Sequence, residues 1–408
     1  MEEKGSNQFL LRQKNHNLIK KYIFQHSPIS RVEVARALGL TTPTISGMVA
    51  PLLAQGLLRE VDSALDAEES RTAGRPRVML EFEPEAYYIC GVDVSPYHIN
   101  YVLTNLCGDI VHSHRTGATL KDYDSTFGIL AKGISDFLEE CAVPRDKLLG
   151  VGLCMPGLIN GSAGRIYTNF QKGWNDHDLS AELEERLGIR VVIENNVRAR
   201  AIGADLFDRS AVAEPFAYFF VSYGVSCQMI IGNKVLYGQS AAAGEIGHTV
   251  VQRGGPVCPT CGNRGCLEAL AGERAVLQRC REAMLAGEST RLNELCDNPA
   301  ALTMDHVLRA QDLDDSVVGA IIDDVIDYLG ISLANTINLI SPKIVVLDGR
   351  MLDTPKNREL ILKAVKRNMF LVHVDRTRFL MLPYDPDRGA RGAAAVVVRE
   401  LMLDTAVE

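Results

Sequence analysis

Three cysteines and a histidine stand close enough in this sequence to hold a metal ion. Cys258, Cys261 and Cys266 follow a C-x2-C-x4-C spacing within AGEIGHTVVQRGGPVCPTCGNRGCLEA (residues 243–269), and His248 lies ten residues before the first of them. Three thiolates and one imidazole fill all four positions around zinc, which makes such a site structural, because no position is left for a reacting water. Free thiols in a glycine-rich loop and a redox C-x-x-C are the alternatives, and no thioredoxin-like pattern surrounds the latter. A second group lies in IENNVRARA (193–201), where an apolar run delivers Glu194, Asn195 and Asn196. One carboxylate and two amides can hold hydroxyl groups, but an amide cannot take a proton as a carboxylate can. The question is whether this stretch reacts or holds.

The rest of the chain must position these groups. Its 408 residues exceed one ordinary core, and 47% hydrophobic with 23% charged residues is the balance of a soluble globular protein. MEEKGSNQ is not a signal peptide and no apolar run approaches a membrane span, so the expectation is a cytoplasmic protein with reduced thiols and no membrane partner. Residues 1–82 carry 11 Lys and Arg against 9 Asp and Glu, and the remainder 32 against 42. A mildly basic head on an acidic body suits a DNA-reading module attached to a sensor.

The head reads as a winged helix-turn-helix over residues 1–83. FLLRQKNHNLIKKYIFQH (9–26) puts Leu11, Leu18, Ile19, Tyr22 and Ile23 on one predicted helical face. Ser30-Arg31-Val32-Glu33 is a capping box that opens a short helix ended by Gly39. Thr42-Pro43 opens a third helix with buried Ile45, Met48, Val49, Leu52 and Leu53, and Pro51 inside it predicts a kink. Strands near 57–61 and 78–82 with a polar tip form the wing. Thr41, Thr42, Thr44 and Ser46 offer short hydroxyls for phosphates and base edges in a major groove, and Arg75 and Arg77 in Gly74-Arg75-Pro76-Arg77 suit a narrow minor groove. A module for protein contacts is the alternative.

Beyond residue 85 the pattern repeats. Short strands near 88–94, 100–104 and 109–112 precede alternating helices and strands up to 194, and strands near 216–221, 227–232 and 234–237 restart the scheme. Two such copies predict a duplicated α/β body with a cleft between its halves and ligands at the carboxyl ends of strands. The expected division is 84–196 with 384–408, and 197–383 carrying the cysteine loop.

The combination of AGEIGH (243–248), CGNRGCLE (261–268), Pro156-Gly157, the Asn169…Gly173-Trp174 spacing and the IENN strand end resembles the ROK family of sugar kinases and sugar-responsive repressors. The resemblance spans residues 85–400, and the head resembles that of the repressors. It implies an actin-like (ribonuclease H-like) ATPase-type fold for the body, with a hexose held by Asn195, Glu245, His248 and Glu268 and with Gly157, Asn169 and Asn196 lining the cleft. It also implies that His248 serves both zinc and sugar through its two ring nitrogens. Where the family's kinases end the strand with an aspartate base, this chain has Asn196, which forfeits an effect of roughly 10²–10⁴-fold. Asp93-Val94-Ser95-Pro96-Tyr97 lacks the glycines of a phosphate-binding turn, Ser222-Tyr223-Gly224 replaces Gly-Thr-Gly, and Asp348-Gly349 puts a carboxylate where the kinases have Gly-Gly.

The expectation is therefore a regulator that holds a sugar or sugar phosphate and is not an enzyme. It has one structural Zn2+ and no ATP, and it binds a double-stranded DNA operator as a homodimer or homotetramer. A sugar kinase with a DNA-binding head, using Glu194 as base, is the alternative; so is a repressor whose signal is a protein partner.

Overall fold

The structure is a computed structural model that describes residues 8–62, 78–117, 120–168, 174–208, 211–212, 215–232 and 234–404. The chain divides into two compact units, residues 1–209 with 387–408, and residues 210–386.

The first unit opens with helices Gln8–His26, Arg31–Leu38 and Thr42–Ala54 and strands β1 (Ile29–Ser30), β2 (Leu58–Asp62) and β3 (Val78–Phe82). Local chemistry sets their ends. The Ser30 hydroxyl accepts from Glu33 N while the Ser30 N–H donates to the Glu33 carboxylate, and Gly39 closes the second helix at φ +65°. Thr41 caps the third helix by accepting from Thr44 N at 3.3 Å. That helix runs through the exposed Pro51 to Ala54, burying Ile45, Val49 and Leu52. The three strands pair in the order β1-β3-β2, and the wing arginines Arg75 and Arg77 lie outside the described residues.

The buried face of the first helix differs from the one its apolar residues predict. Leu11 and Leu18 are 49% and 46% exposed, while His16, Ile19, Lys20 and Ile23 are buried. The cause is the far end of the chain. Lys20 Nζ donates to Met402 O at 2.5 Å, Asn17 Nδ2 donates to Asp404 O at 2.8 Å, and Lys21 forms an ion pair with the Asp404 carboxylate. A polar partner supplied by distant sequence thus makes a lysine face the core. The three helices and the hairpin of β2 and β3 fall within the first unit.

Burial and the neighbouring Lys20 and Arg12 lower the His16 imidazole to about 4. The unfolded chain then binds a proton that the folded chain does not between pH 6.5 and 4. Stability is expected to fall as pH drops through that window, by up to about 1.4 kcal/mol per pH unit. The His16→Phe variant should lose this part of the slope in urea titrations run between pH 4 and 7. An unchanged slope would place the acid sensitivity elsewhere.

The first unit's larger sheet contains β4 (Tyr88–Val94), β5 (His98–Asn105), β6 (Ile110–Gly117), β7 (Leu148–Met155) and, after the small hairpin β8 (Leu158–Asn160) and β9 (Arg165–Thr168), β10 (Val191–Asn195). Their order is β10-β7-β4-β5-β6, with β4, β5 and β6 antiparallel and β7 and β10 parallel additions. In the second unit β11 (Phe216–Val221), β12 (Val225–Ile231), β13 (Lys234–Val235), β14 (Ile344–Asp348) and β15 (Arg378–Met381) take the order β13-β12-β11-β14-β15, with the same directions. Both sheets are one meander plus two parallel strands, so the internal repeat is topological as well as sequential.

One face of the first sheet packs on helices Tyr123–Cys141 and Leu179–Leu187 through Val92, Leu130, Ile134, Leu183 and Ile193. Strand alternation turns Gly91 and Gly152 to the opposite face. There helix Arg388–Val397 comes so near that a Cβ on either glycine would lie 2.0 or 2.1 Å from the carbonyl oxygen of Ala390 or Ala393. The same helix touches Gly203 of helix Asn196–Phe207 through Gly392. That packing holds Asn196–Phe207 in the first unit, so the boundary lies near 209 instead of the 196 suggested by the sequence. In the second unit, helix Ser316–Ile340 and its neighbours cover β11 and β14 through Ile322, Leu329, Val345 and Leu347. Among the described residues no helix is long and apolar enough to cross a membrane.

Candidate metal centre and small-molecule site

The candidate metal centre is built by one 3-10 turn and one loop of the second unit. Ile246–His248 forms the turn, with His248 at its end. The chain then doubles on itself: Val251 N donates to Gly265 O at 2.9 Å, Cys258 N to Asn263 O at 2.7 Å, and Gly265 N to Pro256 O at 2.8 Å. Gly262 and Gly265, at φ +77° and +78°, make the reversals that aim the sulfurs at one another. The ligand atoms of His248, Cys258, Cys261 and Cys266 all lie within 4.8 Å of one another. Cys258 Sγ is 3.8 Å from His248 Nδ1, and Cys261 Sγ is 3.6 Å from Cys266 Sγ. A tetrahedron with zinc–sulfur bonds of about 2.3 Å has edges of about 3.8 Å, close to these two separations. It is Nδ1 of His248 that faces the sulfurs, which leaves Nε2 on the outer side of the ring.

The first helical turn after the last cysteine carries Glu268, in Leu267–Ala271. Thr260, between two metal-site cysteines, donates its hydroxyl to Glu268 Oε1 at 2.5 Å. The other carboxylate oxygen lies under the turn of β11 and β12, 2.7 Å from where a Cβ on Gly224 would be. Glu245 precedes the 3-10 turn and, like His248 and Glu268, is half-buried. The structure thus gathers a cysteine loop and a carboxylate through a threonine that the sequence reading passed over. Glu273, five residues on, is buried; burial pushes its carboxyl up to about 7, against the opposing pull of Arg350 and the Ser222 hydroxyl.

In the first unit Asn195 is the N-cap of helix Asn196–Phe207. Its Oδ1 accepts from Val197 N and Arg198 N at 2.9 and 3.2 Å, and its Nδ2 donates to Gly157 O at 3.0 Å. Gly157, at φ +125°, holds a conformation that a side chain would strain. Asn196 is half-buried and makes no side-chain hydrogen bond among the described residues. Asn169 and Gly173 lie outside the described residues.

Two arginines that sequence reasoning missed organise this end. Arg198 Nε donates to Glu194 Oε1 at 2.7 Å with both side chains essentially unexposed, and Arg198 also donates to Ile159 O at 2.6 Å. Arg200 binds Asp93 at 2.9 Å, and the Cys154 thiol lies 3.4 Å from the other Asp93 oxygen. The i to i+4 spacing of Glu194 and Arg198 was the available signal for the first pair. The turn after β4 closes on itself: the Ser95 N–H and hydroxyl both donate to His98 O at 2.9 Å, and Tyr97 is 62% exposed. Buried Asp348, at the end of β14, accepts from the Tyr218 hydroxyl at 2.6 Å.

The profile of the ROK family matches residues 89–400. The chain belongs to the ROK family. Among its relatives in that family, the xylose repressor of Bacillus subtilis (strain 168) is 30% identical over 349 residues, 86% of this chain and 85% of that one. The DNA-binding transcriptional dual regulator NagC of Escherichia coli (strain K12) is 25% identical over 396 residues, 96% and 94% of the two chains. Among solved structures, a ROK family transcriptional regulator described as a homolog of the E. coli MLC protein superposes with a TM-score of 0.81 at 22% identity, covering 97% of each chain. That structural likeness extends the ROK fold through the three N-terminal helices.

Proposed function

We propose that this protein is a sugar-responsive transcriptional repressor. The first three helices and the β2–β3 hairpin act as a winged helix-turn-helix, and the two repeated units form an actin-like body. Thr41, Thr42, Thr44 and Ser46 stand at the start of the recognition helix, with the wing arginines as a second contact to the operator. Thr41 Oγ1 lies 2.8 Å from Thr44 Oγ1, so these two hydroxyls present a pre-ordered pair to phosphate or base edges. His248, Cys258, Cys261 and Cys266 hold one structural zinc. The effector is a sugar or sugar phosphate, and the residues proposed to take it are Glu245, Glu268, the outer nitrogen of His248, Asn195, Asn196, Gly157 and Asn169. Zinc supplies rigidity, and the protein's own carboxylates and amides supply the hydroxyl contacts.

The same reading leaves no phosphoryl transfer. Asn196 cannot act as a base, and Glu194 is committed to Arg198. A homodimer or homotetramer would match two heads to a palindromic operator with half-sites about one or two helical turns apart.

The observation that carries the proposal is similarity to named repressors over head and body together, 96% of the chain in the case of the N-acetylglucosamine repressor of Escherichia coli O6:H1. The experiment is fluorescence anisotropy on the chain's own upstream DNA, with a panel of free and phosphorylated sugars beginning with xylose and N-acetylglucosamine. Operator binding weakened at least tenfold by one sugar is the expected result. Tight binding that none of them disturbs would replace the sugar by a protein signal.

A further inference from the structure

We infer that helix Asn196–Phe207 and the segment 388–404 carry the effector signal to the DNA-binding head, through two junctions on one helix, Phe24 with Phe207 and Lys20 with Met402. The inference rests on the proposed function for the meaning of its two ends, and the contacts between them stand independently.

The first rod begins at the amides. Asn195 caps it and Asn196 is its first residue, so a ligand that draws the Asn195 amide must compete with, or reorient, the cap on Val197 and Arg198. Twelve residues later the rod ends in Phe207. The Phe207 ring is seated on Gly108, where an added Cβ would come within 2.5 Å of it. The Arg391 guanidinium stacks 5.0 Å above the ring and holds Asp208 at 2.8 and 3.1 Å. Phe24 of the head's first helix meets the same ring at 6.4 Å, and also meets Phe82 of the wing at 5.2 Å. A displacement of this helix along its axis therefore reaches an aromatic contact with the head.

The second rod starts beside Asp93, whose carboxylate oxygen would lie 1.8 Å from a Cβ on Gly389. It passes the sheet at Gly91 and Gly152 with no side chain between backbones, and contacts the first rod at Gly203 and Gly392. Packing without intervening side chains leaves little slack, so the two helices shift together or not at all. After Val397 the segment widens into a π-helical turn, Val398–Leu403. The carbonyls of Met402 and Asp404 accept from Lys20 and Asn17 of the head. Lys20 is buried there, with its ammonium lowered to about 8 by burial, so breaking the contact strands a buried cation and the junction resists sliding. Both rods converge on the helix Gln8–His26, which also packs on the capped pair Arg31–Leu38 and Thr42–Ala54.

The test needs neither sugar nor DNA. Amide hydrogen exchange is followed in the full chain for the wild type, Asn195→Ala and Lys20→Met. Loosening the cap at the effector end should raise exchange at least threefold within residues 8–26, far from the substitution. Loosening the head end should raise exchange at residues 197–200 by a similar factor. If each change stays at its own end, the rods do not transmit and the inference falls. If only one variant folds, that variant decides on the same criterion. Failure of the repressor reading would appear in the anisotropy titration and leave this result standing.

Discussion

Replacing Arg198 by Leu is expected to destabilise the first unit by about 3–5 kcal/mol, because the Glu194 carboxylate would remain buried without its partner. The pair is fully enclosed, with Glu194 and Arg198 side chains 1% and 0% exposed. The guanidinium also satisfies Ile159 O, so its loss leaves a carbonyl as well as a carboxylate unpaired. Trp174, the single tryptophan, is buried in the same unit and reports its unfolding in urea. The double variant Glu194→Gln, Arg198→Leu removes both charges and should recover a substantial part of the loss. A single variant within 1 kcal/mol of wild type would mean that water reaches the pair in solution. The same measurement bears on phosphoryl transfer. A carboxylate paired with a guanidinium at 2.7 Å and enclosed with it is not placed to reach a sugar hydroxyl, so the chain is expected to turn over no ATP with any sugar tested.

What the sequence made legible follows from how local each determinant is. Ser30 with Glu33, Gly39, and Thr41 with Thr44 are caps formed within three residues, and their signals survive whatever the rest of the chain does. The C-x2-C-x4-C spacing with His248 is similarly self-contained, which is why these four side chains could be grouped from the sequence, and the structure brings them together. The repeated meander was readable because the apolar runs recur in order. The first helix was misread for the opposite reason. Its apolar residues point to Leu11 and Leu18, yet the face that is buried contains Lys20, whose partner lies 382 positions away. Asp93 and Arg200 are 107 positions apart, and no periodicity connects them. Thr260 and Glu268 are only eight apart, but a threonine inside a cysteine loop carries no signal of its own until the loop's fold is known. The unit boundary follows the same rule. Helix Asn196–Phe207 stays with the first unit because a glycine-to-glycine contact with residue 392 holds it there.

Exchange of Cys266 for Ser should empty the metal centre, taking zinc from about one ion per chain to nearly none by elemental analysis. Cys266 is buried, its backbone pairs with Val250, and it stands where the loop leads into Glu268. Structural zinc contributes about 10–16 kcal/mol in isolated fingers, which is an upper bound here because hydrogen bonds of the loop remain. A loss of roughly 3 kcal/mol in the second unit would lower its melting midpoint by about 6–12 °C, read by calorimetry. Zinc retention should also fall as pH drops, since protons compete for the thiolates and the imidazole. Thr260→Val separates the ion from the effector. It keeps all four metal ligands and removes one hydrogen bond to a carboxylate, for an expected loss of roughly tenfold in sugar affinity. If Cys266→Ser abolishes both operator binding and sugar binding while Thr260→Val weakens only the sugar, the loop is a scaffold that the carboxylate leans on. If the zinc-free protein still binds its operator at wild-type strength, the centre serves the body alone, and the path from effector to head runs through the first unit.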